Sequence, residues 1–237
     1  MIVLRPRASV PAMAPPPTTT CPDCPASQNG LLGQLVGGGQ GRCAFRCLFV
    51  GARQPLPPRW FGSYGLAFVR RGIVIRQRVD SHGSATAVDA IGPGGAMLLA
   101  EGGDASSSGY AADEVLLCLC ARRTLRATID AGAPGSAQII ELHASSLDRV
   151  ERIAAARCRP TAVARVAALL CALADTLSPP RRLTRIPGTL QQRDLAALLS
   201  MRHESVCRAL GLLVRRGAVG RADDGLRLLD RLTLETV

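Results

Sequence analysis

Short apolar runs separated by glycine and proline occupy residues 43–133 and predict a series of short β-strands. Runs of this length at this spacing are typical of an all-β barrel or sandwich. We therefore predict a β-barrel in this part of the chain. The runs lie at residues 48–50, 66–69, 72–75, 87–91, 96–99 and 115–119.

From about Ser136 the apolar positions take on a helical period. A stripe of side chains follows three-and-four spacing over two heptads, as in a helix with one apolar face. This face packs either on its own domain or against a second copy of the chain. Its place between a β-domain and a second helical region suits a dimer seam as well as a core face. The stripe consists of Ile140, His143, Leu147, Val150 and Ala154.

A further helix is predicted from Ala162 to Leu177. Thr161 can cap its start, and the Pro-Pro pair at 179–180 ends it. A short strand from Arg182 to Ile186 is expected to follow.

Residues 189–217 predict two short helices joined by a tight turn. Leucines at 195, 198 and 199 give the first helix an apolar face, and residues 200–202 can turn. The second helix has an apolar inner face and ends near Gly217. Two helices joined in this way form a helix-turn-helix. Residues 218–237 then fit a β-hairpin wing.

Polar side chains project outward near the start of the second helix, which we place at residues 202–215. An Arg side chain can bond O6 and N7 of guanine, and a Glu can accept from N4 of cytosine. Base contacts belong at the N-terminal end of a recognition helix. The alternative is a solvated helix whose charges serve solubility. The candidate DNA-contacting residues are Arg202, His203, Glu204, Ser205 and Arg208.

The charge balance also indicates a polyanionic partner. The 237 residues include 29 basic and 18 acidic side chains, for a net charge of +11. Aromatic residues make up only 3%, which argues against binding by base stacking. The hydrophobic fraction of 47% allows a real core, and no apolar run reaches the length of a membrane span.

Nine cysteines are many for a chain of this size, and an odd number cannot all pair internally. The amino-terminal residues lack the hydrophobic region of a signal peptide, so we expect a cytoplasmic protein. In that compartment, the close pair Cys21 and Cys24 indicates metal, cluster or redox chemistry rather than structural disulfides. Two exposed thiols without a function are the alternative.

The order of β-barrel, long helix and winged helix-turn-helix resembles the Crp/Fnr superfamily of bacterial transcription regulators. The recognition motif Glu-(Ser/Thr)-Val-x-Arg of that superfamily is matched by residues 204–208, and its barrel landmarks are matched at 48–49, 71–72 and 92–94. The resemblance covers residues 43–237. Two departures are visible: Ser200 stands where the turn often has Gly, and Arg202 stands where a capping Ser or Thr is usual.

This resemblance implies an α+β fold with a cyclic-nucleotide-binding-like β-barrel, a long dimerisation helix and a winged helix-turn-helix. It also implies a homodimer that binds an inverted repeat in double-stranded DNA, with RNA polymerase as a further partner. The corresponding domains are a flexible amino-terminal arm with the Cys-x-x-Cys pair at 1–42, a barrel at 43–135, a dimerisation helix at 136–159 and a DNA-binding domain at 160–237.

Cyclic-nucleotide binding is not expected. Cyclic-AMP-binding members carry a Gly-Glu pair and a later Arg-Ser in their phosphate-binding segment, and residues 94–98 and 106–111 lack both. A buried phosphate without a guanidinium partner would lose its charge-assisted hydrogen bonds.

The Fnr-like branch is more similar, because it has an amino-terminal Cys-x-x-Cys and a lone barrel cysteine, matched here by Cys118. The resemblance implies an iron-sulfur cluster on Cys21, Cys24, Cys118 and a fourth ligand. The third amino-terminal cysteine of that branch falls at Gly30. A thiol–disulfide switch at the Cys-x-x-Cys pair, zinc, or a site with no effector are alternatives. The candidates for the fourth ligand are Cys43, Cys47 and Cys120.

We consider three classes of function for these residues. The sequence favours a homodimeric DNA-binding regulator. The alternative is a redox or metal sensor whose helix-turn-helix serves mainly protein contacts. An enzyme is not expected, because no catalytic triad, zinc-protease helix, phosphate loop or carboxylate pair stands out.

Val150 aligns with an acidic residue of the Fnr-type dimer helix. Paired acidic residues in a dimer seam repel each other, and Val150 removes that repulsion. We therefore expect the dimer to persist without a cluster.

Overall fold

The computed structural model describes residues 45–57, 63–99, 107–131, 135–177 and 185–237. The predicted arm at 1–42, with Cys21 and Cys24, therefore lies outside the described residues, as does Cys43.

The amino-terminal half of the described chain is built from seven strands in two antiparallel sheets. One sheet has the order β1-β7-β2-β5 and the other β4-β3-β6. The predicted β-rich domain is confirmed, but its sheets face each other in a jelly-roll-like arrangement and do not close into one barrel. The strands are β1 Phe45–Val50, β2 Tyr64–Arg71, β3 Val74–Val79, β4 Ala85–Ile91, β5 Ala96–Leu98, β6 Ser107–Ala111 and β7 Val115–Ala121.

Strand β7 is buried on both of its faces. Alternate side chains of a strand point to opposite sides of its sheet. Leu117 and Leu119 point into the core between the two sheets. Cys118 and Cys120 point to the other side, where they share an apolar cluster with Leu125. Because both faces of the strand pack against apolar clusters and neither meets water, residues 115–119 form a continuous apolar run.

Two helices cover the outer side of the first sheet. Helix α1 spans Arg122–Asp130 and helix α2 spans Gly135–Arg157. The sequence reasoning assigned 43–135 to the β-domain and missed α1, because Leu125 is its single buried side chain and three arginines interrupt any apolar period. Helix α2 matches the predicted dimerisation helix within two residues at its carboxyl end.

The carboxyl-terminal part contains a helix, a helix-turn-helix and a small sheet of order β8-β10-β9. Thr161 caps the first helix as predicted, accepting a hydrogen bond from the amide of Ala164 at 3.1 Å. The elements are α3 Ala162–Thr176, β8 Arg185–Pro187, α4 Gln192–Leu199, α5 His203–Arg215, β9 Val219–Ala222, β10 Gly225–Leu228 and α6 Arg231–Thr236.

The predicted wing is shorter than expected. The hairpin covers 219–228 only, and residues 231–236 form helix α6. The Asp230 side chain caps this helix, accepting from the amide of Thr233 at 3.0 Å. Arg231 then holds α6 on α3 through two hydrogen bonds of 2.7 Å to Asp175. None of the helices in the described ranges is both long and apolar enough to cross a bilayer.

One apolar core joins the β-rich part to the helix-turn-helix. Ile75 and Ala87 of the second sheet share a cluster of buried residues with Leu170 of α3 and Leu195 of α4. The helix-turn-helix is therefore packed against the β-rich part rather than suspended on a linker.

Candidate functional site

The tight turn between α4 and α5 is made by Ser200, which adopts the left-handed conformation with φ 52° and ψ 43°. The amide of Met201 donates to the carbonyl of Ala196 at 2.9 Å and closes the turn. A left-handed residue is the reason that a glycine is favoured here. The departure at Ser200 is thus accommodated without a change in the turn.

We expect Ser200→Gly to raise the free energy of unfolding by about 1 kcal/mol, because the side chain no longer opposes the left-handed backbone. Urea unfolding followed by circular dichroism measures the change. Ala197→Gly, three residues earlier and inside α4, is the matched control and should lower stability by about 1 kcal/mol. A loss of stability in both variants would contradict the role assigned to the turn.

The predicted DNA-contacting residues lie together at the start of α5. Arg202 is the N-cap and makes no side-chain capping bond, as the sequence departure predicted. His203, Glu204 and Arg208 are exposed, and Ser205 is half-buried. The opposite face of the helix is fixed in the core by Val206, Ala209, Leu210 and Leu213.

Further arginines surround this helix and were not singled out from the sequence. Arg221 and Arg227 lie exposed on the paired strands of the wing, and Arg215 and Arg216 lie exposed at the end of α5. The predicted β-hairpin wing could have indicated Arg221 and Arg227, because both lie in the segment assigned to it. In an assembly with a polyanion, exposed guanidinium groups of this kind serve phosphate contacts.

An ion pair with a buried carboxylate and a half-buried guanidinium anchors the helix-turn-helix to the β-rich part. Asp194, at the start of α4, is 1% exposed. It accepts hydrogen bonds of 2.8 and 2.7 Å from Nη1 of Arg53, and its Oδ1 accepts a further one of 2.8 Å from the hydroxyl of Tyr110. Arg53 also donates to the carbonyl of Thr189 at 2.8 Å. We call Arg53, Tyr110 and Asp194 the Asp194 anchor.

Two features show how tightly this anchor is held. Arg53 has a φ of 65°, in the left-handed region that non-glycine residues seldom occupy. Burial, together with the hydrogen bond to Asp194, raises the pKa of Tyr110 well above its usual range. The hydroxyl donates this hydrogen bond in its neutral form, and the raised pKa extends that form to higher pH. Sequence reasoning missed the anchor, since its members are widely separated along the chain.

A second buried ion pair joins α2 to the β-rich part. Arg149 donates to Asp89 at 3.2 and 3.3 Å and to the carbonyl of Ala96 at 3.0 Å. Arg149 and Asp89 are both buried. The guanidinium that reaches strand β5 thus comes from the helix and is paired with an internal carboxylate, which Arg76 also approaches at 4.0 Å.

The predicted dimer stripe lies on the face of α2 that this single chain leaves open. Ile140 and Leu147 are 69% and 51% exposed. His143 and Ala154 are also exposed, and Val150 is half-buried. The opposite face buries Arg149, Ile153 and Ala156. Packing on its own domain therefore does not account for Ile140 and Leu147, whereas Val150 is partly covered in the single chain.

The metal prediction falls largely outside the described residues. Cys118 is buried, and its nearest sulfur neighbour given by the structure is Cys47, with 3.8 Å between the two Sγ atoms. The Sγ of Cys120 lies 3.6 Å from the carbonyl of Ala121. In the part of the chain that the structure describes, no three His, Cys, Asp or Glu side chains cluster as a metal site requires. These residues alone therefore do not fit a four-thiolate cluster.

The comparisons with known proteins agree with this architecture. The model of the Crp-like helix-turn-helix domain matches residues 164–237. No curated protein matches the chain in sequence.

Solved structures are similar over most of the chain. FixK2 from Bradyrhizobium japonicum has a TM-score of 0.67 at 21% identity, covering 81% of this chain and 96% of its own. A CooA mutant from Carboxydothermus hydrogenoformans has a TM-score of 0.66 at 16% identity, covering 88% and 96%. A transcriptional regulator of the CRP family from Thermus thermophilus has a TM-score of 0.57 at 20% identity, covering 79% and 94%.

Proposed function

We propose that this chain is a sequence-specific DNA-binding transcription regulator of the Crp/Fnr type, because its fold is similar to that of such regulators and residues 164–237 match the Crp-like helix-turn-helix domain. The observation that carries the proposal is the exposed start of α5, where Glu204 and Arg208 stand one helical turn apart. Helix α5, with its N-cap Arg202, enters the major groove and reads one half of an inverted repeat.

Charge supports DNA rather than protein as the partner of this surface. The net charge is +11, and exposed arginines lie on α5 and on both wing strands. A protein-docking helix would need an apolar outer face. The outer face at the start of α5 instead carries Arg202, Glu204 and Arg208, so direct base readout with flanking phosphate contacts accounts for it.

We expect Arg208→Ala to weaken binding to a selected site by about 1–3 kcal/mol and to relax specificity at one base pair. Sites are first selected from random duplex DNA with the parent protein. Affinities of parent and variant are then measured on that site and on its single-base-pair substitutions. The matched control is Arg123→Ala, which removes an exposed arginine from α1. An equal loss on every sequence, with a shallower salt dependence, would make Arg208 a phosphate contact instead.

The regulator acts as a homodimer through α2, with the stripe Ile140, His143, Leu147, Val150 and Ala154 as the seam. The exposure of its apolar members in the single chain supports this assignment. In this organisation 43–135 is the sensor domain, 136–159 the dimer helix and 160–237 the DNA-binding domain. RNA polymerase is the further partner proposed for such a regulator.

Redox or metal sensing is the second candidate function, and the neighbouring thiols of Cys47 and Cys118 favour it. A cluster would need Cys21 and Cys24 as well, and its thiolates would hold the iron. A cyclic nucleotide is not proposed as the effector, since Arg149 beside β5 is already paired with Asp89.

A further inference from the structure

Two cysteines face each other directly across neighbouring strands of the first sheet. In the antiparallel pairing of β1 with β7, Cys47 stands opposite Cys118. Their Sγ atoms lie 3.8 Å apart. Residues at directly opposed positions point to the same side of a sheet, so the two thiols share one environment.

This placement meets the backbone requirement of a disulfide. Directly opposed residues of antiparallel strands have Cα atoms about 4.5 or 5.5 Å apart, depending on the type of pair. Disulfides span Cα separations of about 4.4–6.8 Å, and either pair type falls within that range. The sulfur atoms can therefore close from 3.8 Å to bonding distance by side-chain rotation, with the strands in place.

The two thiols differ in their access to solvent. Cys47 is half-buried, whereas Cys118 is 6% exposed. A small reagent arriving from solvent consequently meets Cys47 first. Cys118 is then positioned to attack whatever forms on the Cys47 sulfur.

We propose that Cys47 and Cys118 form a dithiol site that a hydroperoxide oxidises to a cross-strand disulfide. The Cys47 thiolate attacks the peroxide, the O–O bond breaks, and a sulfenic acid forms while an alcohol or water leaves. The Cys118 thiolate then attacks this sulfenic sulfur, so that the S–S bond forms and the oxygen leaves as water. Two thiols are oxidised by two electrons in total, and one peroxide is reduced. This chemistry does not depend on DNA binding.

The site lies beneath the dimer helix. Cys118 belongs to the apolar cluster that contains Leu125 of α1, and Ile139 and Leu142 of α2 pack against that cluster together with Cys47. A disulfide between Cys47 and Cys118 therefore forms in the apolar layer between the first sheet and α2.

To test the proposal, the reduced full-length protein is treated with one equivalent of hydrogen peroxide under anaerobic conditions. The remaining thiols are then blocked by alkylation, and the tryptic peptides are mapped without reductant. Because every basic residue is Arg, trypsin releases residues 47–53, which hold only Cys47, and residues 79–122, which hold Cys118 and Cys120. We expect these two peptides to be linked, with the loss of two thiols per chain. Cys47→Ser and Cys118→Ser should each abolish the link. Cys118→Ser should also leave a sulfenic acid on Cys47, which dimedone captures.

Cys120→Ser is the matched control, since Cys120 lies on the same face of β7 but stands opposite Phe45. It should form the linked peptide as the parent does. A variant with Ser at both 21 and 24 should also form it. Circular dichroism checks that each variant folds.

The proposal would be overturned if the disulfide-linked peptide required Cys120, or if it required Cys21 or Cys24. It would equally be overturned if folded, reduced parent protein gave no linked peptide at all. Iron or zinc in the anaerobic parent that Cys118→Ser no longer binds would also overturn it, because the thiol pair would then be a ligand pair. Failure of the protein to bind any selected DNA affects the proposed function alone.

Discussion

Replacing Asp194 by Ala is expected to lower the free energy of unfolding by about 3 kcal/mol, the lower end of the loss typical of breaking a buried ion pair from one side, because the Arg53 side chain is 24% exposed. The carboxylate is 1% exposed and accepts bonds from Arg53, from Tyr110 and from the amide of Gln191 at 2.8 Å. Removing the carboxylate leaves the guanidinium of Arg53 and the hydroxyl of Tyr110 without this acceptor, between the β-rich part and α4. Urea unfolding at neutral pH measures the loss.

Two further variants separate the contributions within the Asp194 anchor. Tyr110→Phe removes one hydrogen bond and leaves the ion pair in place, so its cost should be about 1 kcal/mol. The double variant Arg53→Leu with Asp194→Ala removes both charges. It should be more stable than Asp194→Ala alone, since no buried charge is then left without its partner. Arg53→Leu alone completes the cycle. A double variant whose loss equals the sum of the losses in Arg53→Leu and Asp194→Ala would show that Arg53 and Asp194 do not interact.

The anchor also shows what a single sequence does not reveal. An acidic residue at the third position of a helix predicts an N-terminal cap, and Asp194 does accept from the amide of Gln191. Nothing local to Asp194 indicates Arg53, which follows β1 in a turn with an unusual φ. Pairings of this kind depend on how two separately predicted units pack together, and hydrophobic periodicity does not encode that.

Prediction from sequence worked best where the signal was local. Helix α5 was placed from its apolar period, and the structure exposes Arg202, Glu204 and Arg208 on its outer face. The strand run at 115–119 was also found, but the pairing of β7 with β1 and β2 was not. The opposed thiols Cys47 and Cys118 depend on that register, so the sequence could offer Cys47 only as one of three candidate ligands.

Elements with few buried side chains were the ones missed. Helix α1 buries only Leu125, and helix α6 buries only Leu234. Neither helix has enough apolar positions to establish a period. Both are held by tertiary contacts, and in α6 the bidentate pair between Arg231 and Asp175 supplies one of them.

Replacing Leu147 by Asp is expected to convert the proposed dimer into monomers at micromolar concentration. Leu147 is 51% exposed in the single chain, at the middle of the stripe on α2. Fully burying a leucine contributes about 2 kcal/mol, so the exposed half of Leu147 contributes about 1 kcal/mol when the seam covers it. A twofold seam contains each residue twice, so about 2 kcal/mol is lost from each dimer, which weakens dimerisation about thirtyfold. The like charges of two opposed carboxylates weaken it further.

Sedimentation equilibrium on chelator-treated, reduced protein measures the assembly state of parent and variant. The chelator removes any bound metal. Because Val150 is apolar, we expect the seam to hold without one. Leu232→Asp is the matched control, since Leu232 on α6 is 73% exposed and lies outside the stripe. Leu147→Asp should bind an inverted repeat far more weakly than the parent and Leu232→Asp should bind as the parent does, because a monomer occupies only one half-site. A monomeric parent, or a Leu147→Asp variant that dimerises as the parent does, would show that another surface joins the subunits.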